Sequence, residues 1–144
     1  MHGLPSGGLH VIYIDDDPIN LTVVSHILAG AGAAVTCCRT PREGLEELRS
    51  RPFHVGLIDI HMPEMSGIEL LAQLRREIGP NRAMPALALT ADVSRDERDY
   101  QGLGFDGFIA KPVGVRALLV GILEVLISAT GATAPEIAHA VSRR

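Results

Sequence analysis

The stretch VIYIDDDPIN, residues 11–20, places three consecutive aspartates directly after a run of strand-forming residues and directly before a helix start. Asp17 followed by Pro18 is typical of an N-cap with proline at the first helical position. Asp15 and Asp16 therefore fall at the carboxyl end of the first strand. Because neighbouring carboxylates repel one another, this position predicts a source of positive charge nearby.

The rest of the chain repeats this order of elements. Short apolar runs alternate with amphipathic stretches about five times, which predicts βα units around a parallel sheet. Several runs are apolar at successive positions, as expected for strands covered on both faces. The runs are LHVIYI (9–14), AAVTCC (33–38), HVGLIDI (54–60), ALALT (86–90) and GFIA (107–110). The predicted fold class is α/β, with five strands and five helices.

Capping patterns predict where the helices begin. A hydroxyl residue followed three positions later by glutamate forms a capping box. Such pairs occur at residues 40–43, 66–69 and 94–97. The glycine-rich segment 29–33 is predicted to end the first helix, and segment 79–85 the third. Gly67 is predicted to serve the backbone geometry at the start of the third helix.

The composition limits the class of protein. With 144 residues, of which 47% are hydrophobic, the chain is long enough for one well-buried core and too short for two ordinary domains. The net charge of −4 and the aromatic share of 3% disfavour a nucleic-acid binder. We expect neither a membrane span, since Glu124 interrupts the most apolar stretch, nor a signal peptide. The adjacent Cys37 and Cys38 offer no disulfide framework and fit a reducing cytoplasm.

Polar side chains follow or end four of the five predicted strands. They are Asp15, Asp16, Asp59, Thr90 and Lys111. In an open parallel α/β sheet, ligands bind beyond the carboxyl ends of the strands. Three carboxylates there carry a charge of about −3, and each pair about 4 Å apart costs roughly 4 kcal/mol at an effective dielectric of about 20. A divalent cation resolves this repulsion, and magnesium, or manganese in its place, suits such oxygen ligands.

The same residues predict phosphoryl-transfer chemistry. A carboxylate can attack phosphorus to form an acyl phosphate, while a metal ion and a lysine stabilise charge on the equatorial oxygens. Asp59 is the candidate nucleophile because it stands alone at its strand end, whereas Asp15 and Asp16 are paired for metal binding. Lys111 is predicted to stabilise the charge, and Thr90 to donate its hydroxyl to a phosphoryl oxygen.

Four stretches, in order, also resemble a known family, the response regulator receiver domains of two-component signalling. They are YIDDDPIN, LIDIHMPEMSGIEL, ALTA and GFDGFIAKP. The resemblance covers residues 9–128 and implies a flavodoxin-like fold with a doubly wound sheet of five parallel strands and five helices. Residues 1–8 are then an N-terminal extension, and residues 129–144 a C-terminal tail or linker.

The resemblance also implies roles for individual residues. Asp59 becomes the phosphoacceptor, and a histidine kinase or histidine phosphotransfer domain supplies the phosphoryl group from phosphohistidine. Thr90 and Phe108 correspond to the switch hydroxyl and the switch aromatic residue. Lys111 matches the family's lysine, which often precedes a cis proline bond. The implied magnesium ligands are the carboxylates of Asp15, Asp16 and Asp59 and the backbone carbonyl of His61.

Two other functions remain open. An aspartyl-phosphate phosphatase generally needs a second acid two residues beyond the nucleophile, where this chain has His61. A pseudo-receiver would bind partners without phosphorylation, and the complete acidic set argues against it. On the favoured interpretation the chain resembles receivers of hybrid kinases and phosphorelays, and it catalyses only its own phosphorylation and dephosphorylation.

Two helices carry more apolar residues than one buried face requires. In the first helix, the residues predicted to face the sheet are Ile19, Val23 and Ile27. Those left partly available to a partner are Leu21, Val24 and Leu28. In the fifth helix, the predicted inward face is Val115, Leu118, Leu119, Ile122 and Leu126. A second stripe predicts a surface for homodimerisation or partner docking, formed by Val120, Leu123 and Ile127.

Overall fold

The computed structural model describes residues 8–92, 94–131, 133 and 135. The strands are β1 (His10–Ile14), β2 (Ala34–Cys38), β3 (Val55–Asp59), β4 (Ala86–Thr90) and β5 (Gly107–Ala110). The helices are α1 (Pro18–Gly30), α2 (Pro41–Ser50), α3 (Gly67–Arg76), α4 (Glu97–Gly102) and α5 (Val115–Thr130). Residues 1–7 of the predicted extension and most of the predicted tail lie outside the described residues.

All five strands form one parallel sheet in the order β2-β1-β3-β4-β5. A helix connects each strand to the next along the chain. The chain moves from β1 outward to β2 and then returns past β1 to β3, which creates a topological switch point between β1 and β3. This order confirms the predicted flavodoxin-like, doubly wound α/β fold.

Two apolar layers hold the helices on the sheet. Successive strand residues face opposite layers, as Val11 and Ile12 do. One layer packs against α1 and α5, and the other against α2, α3 and α4. Every residue of β3 and β4 is buried, which explains why these strands are apolar at successive positions. Among the described residues, none of the helices is both long and apolar enough to cross a membrane.

The first three helices begin as the capping patterns predict, with one difference. Asp17 caps α1, and Pro18 is its first residue. The capping box of α3, at residues 66–69, is complete. At α2 the Thr40 hydroxyl caps the helix, but the Glu43 carboxylate accepts the N–H of the residue before Thr40.

The predicted capping box at residues 94–97 is wrong. Asp96 caps α4 by accepting the N–H of Asp99, and Asp99 completes the box in return. The N–H of Ser94 donates instead to the Asp92 carboxylate, which places Ser94 in a turn before the helix. Aspartate caps helices as well as serine does, so the sequence allowed both starts.

The predicted inward face of α1 is also wrong. The residues that α1 buries are Leu21, Val24 and Leu28. Ile19 is 72% exposed and Val23 46% exposed, while Ile27 is half-buried. Both stripes have helical spacing, so periodicity alone does not choose between them. The observed rotation brings the leucines onto the layer shared with α5.

Helix α5 buries most of its predicted inward face. Its buried residues are Leu118, Ile122, Val125 and Leu126. Leu119 is half-buried, but the prediction is wrong for Val115, because the whole first turn, residues 114–117, is exposed beyond the apolar layer. In the second stripe, Val120 and Ile127 are exposed and Leu123 packs partly against the core.

Candidate functional site

The carboxyl ends of four strands meet at one edge of the sheet. The register pairs Ile14 of β1 with Ile58 of β3, and it pairs Thr90 of β4 with Ala110 of β5. The strands therefore end nearly level, and the residues that follow or end them share this edge. The polar residues placed there are Asp15, Asp16, Asp59, Thr90 and Lys111.

Three carboxylates and one ammonium group form the centre of the site. One oxygen from each of Asp15, Asp16 and Asp59 lies within 4.8 Å of the others. Lys111 Nζ is 3.2 Å from Oδ2 of Asp15 and 3.1 Å from Oδ1 of Asp59, so it bridges the two buried carboxylates. Asp15 is 0% and Asp59 3% exposed, whereas Asp16 is half-buried. The carboxylates outnumber the ammonium, and the cluster stays negative.

Burial and neighbouring charges act differently on the two buried carboxylates. For Asp59, burial and the charge of Asp15 outweigh Lys111 and raise the pKa to about 7. Burial also raises the pKa of Asp15, but bonds from the Tyr13 hydroxyl, the Asp17 N–H and Lys111 bring it below its usual range. Asp59 is therefore the carboxyl group that holds a proton near neutrality when no cation is bound.

The cluster fits a hard divalent cation. Carboxylate oxygens are the ligands that Mg2+ and Mn2+ prefer in proteins. Buried like charges this close are costly, and a cation among them removes that cost. Because Asp16 lies partly open to solvent, waters could complete the coordination shell. The donor set therefore suits magnesium.

Thr90 stands at the same edge, at the end of β4. Its side chain is buried, and its Oγ1 accepts the N–H of Asp92 at 2.9 Å. The Asp92 carboxylate in turn accepts the N–H of Ser94 at 2.8 Å, so the hydroxyl is linked to the segment that leads to α4. Lys111 follows β5, and its peptide bond to Pro112 is cis.

Two further predicted residues lie on β5 and after β3. Phe108 pairs with Ala88 in the sheet and is half-buried. Its ring centroid is 5.1 Å from that of Tyr100, so the two rings connect the sheet to α4. His61 is exposed, two residues beyond Asp59. Its backbone carbonyl stays a predicted metal ligand.

Tyr13 is missing from the sequence-based set of site residues. Its ring is buried in β1, and its hydroxyl donates to Oδ2 of Asp15 at 2.5 Å. The signal was present, because residues two apart on a strand share a face, so Tyr13 and Asp15 project together. A buried tyrosine also needs a partner for its hydroxyl.

Gly67 has a steric reason to be glycine. A Cβ at this position would overlap the backbone carbonyl oxygen of Asp59. The Gly67 N–H also donates to the carbonyl of Ile60 at 2.9 Å. The start of α3 therefore packs directly against the segment that carries Asp59, which no side chain would allow.

Comparison with known sequences agrees with this geometry. A family model described as the response regulator receiver domain matches residues 11–123. The aerobic respiration control sensor protein ArcB of Escherichia coli is 30% identical over 115 residues, which are 80% of this chain and 15% of ArcB. The chain spans 11–19% of the length of such curated relatives.

Solved structures share the fold. The chemotaxis protein CheY4 of Vibrio cholerae has a TM-score of 0.76 at 28% identity, over 82% of this chain and 98% of CheY4. The receiver domain of sensor histidine kinase PA1611 from Pseudomonas aeruginosa, solved with magnesium in its active-site cleft, has a TM-score of 0.73 at 23% identity, covering 87% and 99%. Together with the family model and ArcB, the fold shows that this chain belongs to the response regulator receiver domains of two-component signalling.

Proposed function

We propose that this receiver domain takes a phosphoryl group from phosphohistidine onto Asp59, with Mg2+ bound among the carboxylates, and that phosphorylation switches its contacts with partners. The observation that carries the proposal is the Lys111 ammonium, which contacts Asp15 and Asp59 together. It joins the candidate nucleophile, one aspartate of the acidic pair and a positive charge at one buried point. The sensor proteins among the relatives support a histidine kinase or a phosphotransfer domain as donor.

The proposed reaction needs Asp59 in its ionised form. A carboxylate oxygen attacks phosphorus, the P–N bond to the donor imidazole breaks, and the imidazole leaves with the electron pair and takes up a proton. Because the pKa of Asp59 is about 7, a cation in the cluster favours the reactive carboxylate. Lys111, 3.1 Å from Oδ1, stabilises negative charge on the oxygens of the transferred group.

Magnesium is supported by the three carboxylate oxygens that lie within 4.8 Å of one another. When bound, the ion would neutralise charge on the equatorial phosphoryl oxygens. The His61 carbonyl is a further proposed ligand, and Mn2+ has the same preference for oxygen and would substitute. The PA1611 receiver is described with magnesium in its active-site cleft, which supports the same ion here.

Thr90 and Phe108 would carry the signal from Asp59 to the surface. Oγ1 of Thr90 accepts from Asp92, so its hydroxyl hydrogen can donate to a phosphoryl oxygen. A shift of Thr90 toward that oxygen would pull on the segment that leads to α4. Phe108 contacts Tyr100 on the same helix, so its packing would change when that segment moves.

Phosphorylation by a small donor tests the proposal. With Mg2+ and acetyl phosphate, the wild type should gain one acid-stable, base-labile phosphoryl group in intact-mass spectrometry, and Asp59→Asn should gain none. Asp17→Asn is the matched control. It also replaces an aspartate by asparagine, at the last of the three consecutive aspartates, and asparagine caps helices as well as aspartate does. Equal labelling of Asp59→Asn and the wild type would remove Asp59 from this role.

The same reaction separates the two alternative functions when the released phosphate is measured as well. A pseudo-receiver would gain no phosphoryl group under any of these conditions. An aspartyl-phosphate phosphatase would release phosphate from small substrates over many turnovers. His61 occupies the position at which such an enzyme needs its second acid, which favours the receiver. We also propose a cytoplasmic location, which the free thiols of Cys37 and Cys38 support.

We further propose that the outer stripe of α5 is a contact surface for a second copy or a partner. Val120 is 39% and Ile127 37% exposed, while Leu123 packs partly against the core. Ile127→Glu is therefore a cleaner test than Leu123→Glu, which would place a charge against the core. A dimer detected by sedimentation should dissociate in Ile127→Glu and persist in Ile19→Glu, the same change at an exposed position of α1. An unchanged mass would reject this surface as the dimer interface.

A further inference from the structure

Tyr13 joins the apolar core to the acidic cluster. It lies on the same face of β1 as Val11, two residues before Asp15, and its fully buried ring belongs to the layer that packs against α1 and α5. Its hydroxyl leaves this layer and reaches Oδ2 of Asp15 at 2.5 Å. That separation is typical of a charge-assisted hydrogen bond to an ionised carboxylate.

Several donors converge on the Asp15 carboxylate. Oδ2 accepts from Tyr13 and lies 3.2 Å from Lys111 Nζ and 3.5 Å from Nδ2 of Asn20. Oδ1 accepts the N–H of Asp17 at 2.9 Å. The Tyr13 bond is the shortest of these contacts. Because Oδ2 is already occupied by donors, the electron pairs left for a cation lie mainly on Oδ1.

The orientation of Asp15 also affects Asp59. Lys111 Nζ donates a hydrogen bond to Oδ1 of Asp59 at 3.1 Å. This ammonium is shared with Oδ2 of Asp15, the oxygen that Tyr13 holds. If the hydroxyl were removed, Asp15 could rotate about its side-chain bonds, and the shared ammonium would lose its fixed position between the two carboxylates.

We propose that Tyr13 is a positioning residue of the metal site, whose hydroxyl holds Asp15 in the orientation in which the acidic cluster binds Mg2+. This inference rests on the proposed function, because it concerns the same cation. Tyr13 acts through Asp15 and touches neither the cation nor the phosphoryl group. Removing the hydroxyl should weaken Mg2+ binding and slow phosphorylation at low Mg2+, and saturating Mg2+ should restore the rate.

Tyr13→Phe and Tyr100→Phe form a matched pair of variants. Each removes one hydroxyl from a fully buried ring. Among the residues that the structure describes, the Tyr100 hydroxyl has no hydrogen-bond partner, whereas that of Tyr13 bonds Asp15. Mg2+ titrations followed by NMR amide shifts, without a phosphodonor, give the Kd of each protein. Tyr13→Phe should raise the Kd by about 10-fold or more, as for other partners of metal ligands, and Tyr100→Phe should leave it unchanged.

Tyrosine fluorescence supplies a second measurement. The chain has two tyrosines and no tryptophan, so Tyr13 is the only tyrosine in Tyr100→Phe and is the source of its tyrosine emission. Its emission should change as Mg2+ is added, because its hydroxyl contacts a carboxylate of the metal site. The emission of Tyr13→Phe, which retains Tyr100, should change little. Constant emission from Tyr100→Phe would overturn the inference even if Tyr13→Phe fails to fold.

The outcomes distinguish this inference from the proposed function. Equal Mg2+ dissociation constants for the two variants, or constant emission from Tyr100→Phe up to metal saturation, would overturn the inference alone. A rate loss in Tyr13→Phe that persists at saturating Mg2+ would also overturn it, since the defect would then lie outside metal binding. A wild type that neither binds Mg2+ nor accepts a phosphoryl group would overturn the proposed function, and this inference with it.

Discussion

Removing the charge of Asp59 should stabilise the metal-free protein, although it abolishes the proposed phosphoacceptor. Burial and the charge of Asp15 raise the pKa of Asp59 from 3.8 to about 7. The folded protein therefore binds this proton more tightly than the unfolded chain does. The resulting stability is fully present below about pH 4 and is lost as the pH rises through about 7.

The size of the effect follows from the two pKa values. Their difference corresponds to about 4 kcal/mol of stability lost at about pH 8, of which about 3 kcal/mol is lost between about pH 5 and about pH 8. Asp59→Asn keeps the shape of the side chain but cannot ionise, so it should recover most of this loss. Mg2+ at about 100 times its Kd should stabilise the wild type by about 2.7 kcal/mol and narrow the difference between the two proteins.

Urea unfolding followed by circular dichroism measures the difference in stability between the wild type and Asp59→Asn. It is measured at about pH 5 and about pH 8, with Mg2+ and with a chelator. Burial and the charge of His10 lower the pKa of His54, but the wild type and Asp59→Asn share this histidine, so its contribution cancels. Asp17→Asn, which changes an exposed carboxylate, should gain no comparable stability. If the wild type and Asp59→Asn lose stability in parallel as the pH rises, the electrostatic account of this site is wrong.

Three other substitutions test the supporting structure. Asn81→Ala should lower the free energy of unfolding in urea by about 3–5 kcal/mol, because the Asn81 side chain bonds one N–H and two carbonyl groups of residues 48–53, at 2.8, 2.7 and 2.7 Å. Gly67→Ala should slow phosphorylation in an intact-mass time course, because its Cβ would displace the carbonyl of Asp59; a wild-type rate would show that α3 shifts without moving the site. Lys111→Met should unfold cooperatively in urea yet accept the phosphoryl group at least about 10-fold more slowly, whereas loss of the fold would make Lys111 structural.

The strands and their shared edge could be predicted because the deciding signals are local. A strand covered on both faces needs successive apolar residues, and segments 54–60 and 86–90 supply them. A polar residue that ends such a run, as Asp59 does, marks the point where the sheet edge opens to a ligand. Since all five strands are parallel, these ends gather on one side without further information from tertiary contacts.

The rotation of the helices depends on contacts that local sequence does not contain. Helix α1 has two apolar stripes, and Leu21 and Leu28 are buried because they share a layer with Leu118 of α5, far away in sequence. At α4 the choice between two caps depends on the turn formed by Asp92 and Ser94. Segment 79–85 predicted the end of a helix, but it did not predict that Asn81 would be buried and bonded to the α2–β3 connection.

The three carboxylates acquire different chemistry from the donors around them. Asp15 and Asp59 are both buried and both lie at the carboxyl edge of the sheet. Asp15 accepts hydrogen bonds from the Tyr13 hydroxyl and the Asp17 N–H in addition to the shared Lys111. Its pKa therefore falls, while that of Asp59 rises to about 7. A carboxylate whose electron pairs are engaged in hydrogen bonds is a poor nucleophile, whereas a weakly supported one becomes reactive once a cation displaces its proton. This unequal supply of donors is a stronger argument for Asp59 as the phosphoacceptor than its isolated position in the sequence. If the proposed roles are right, exchanging them would require moving hydrogen-bond donors as well as aspartates.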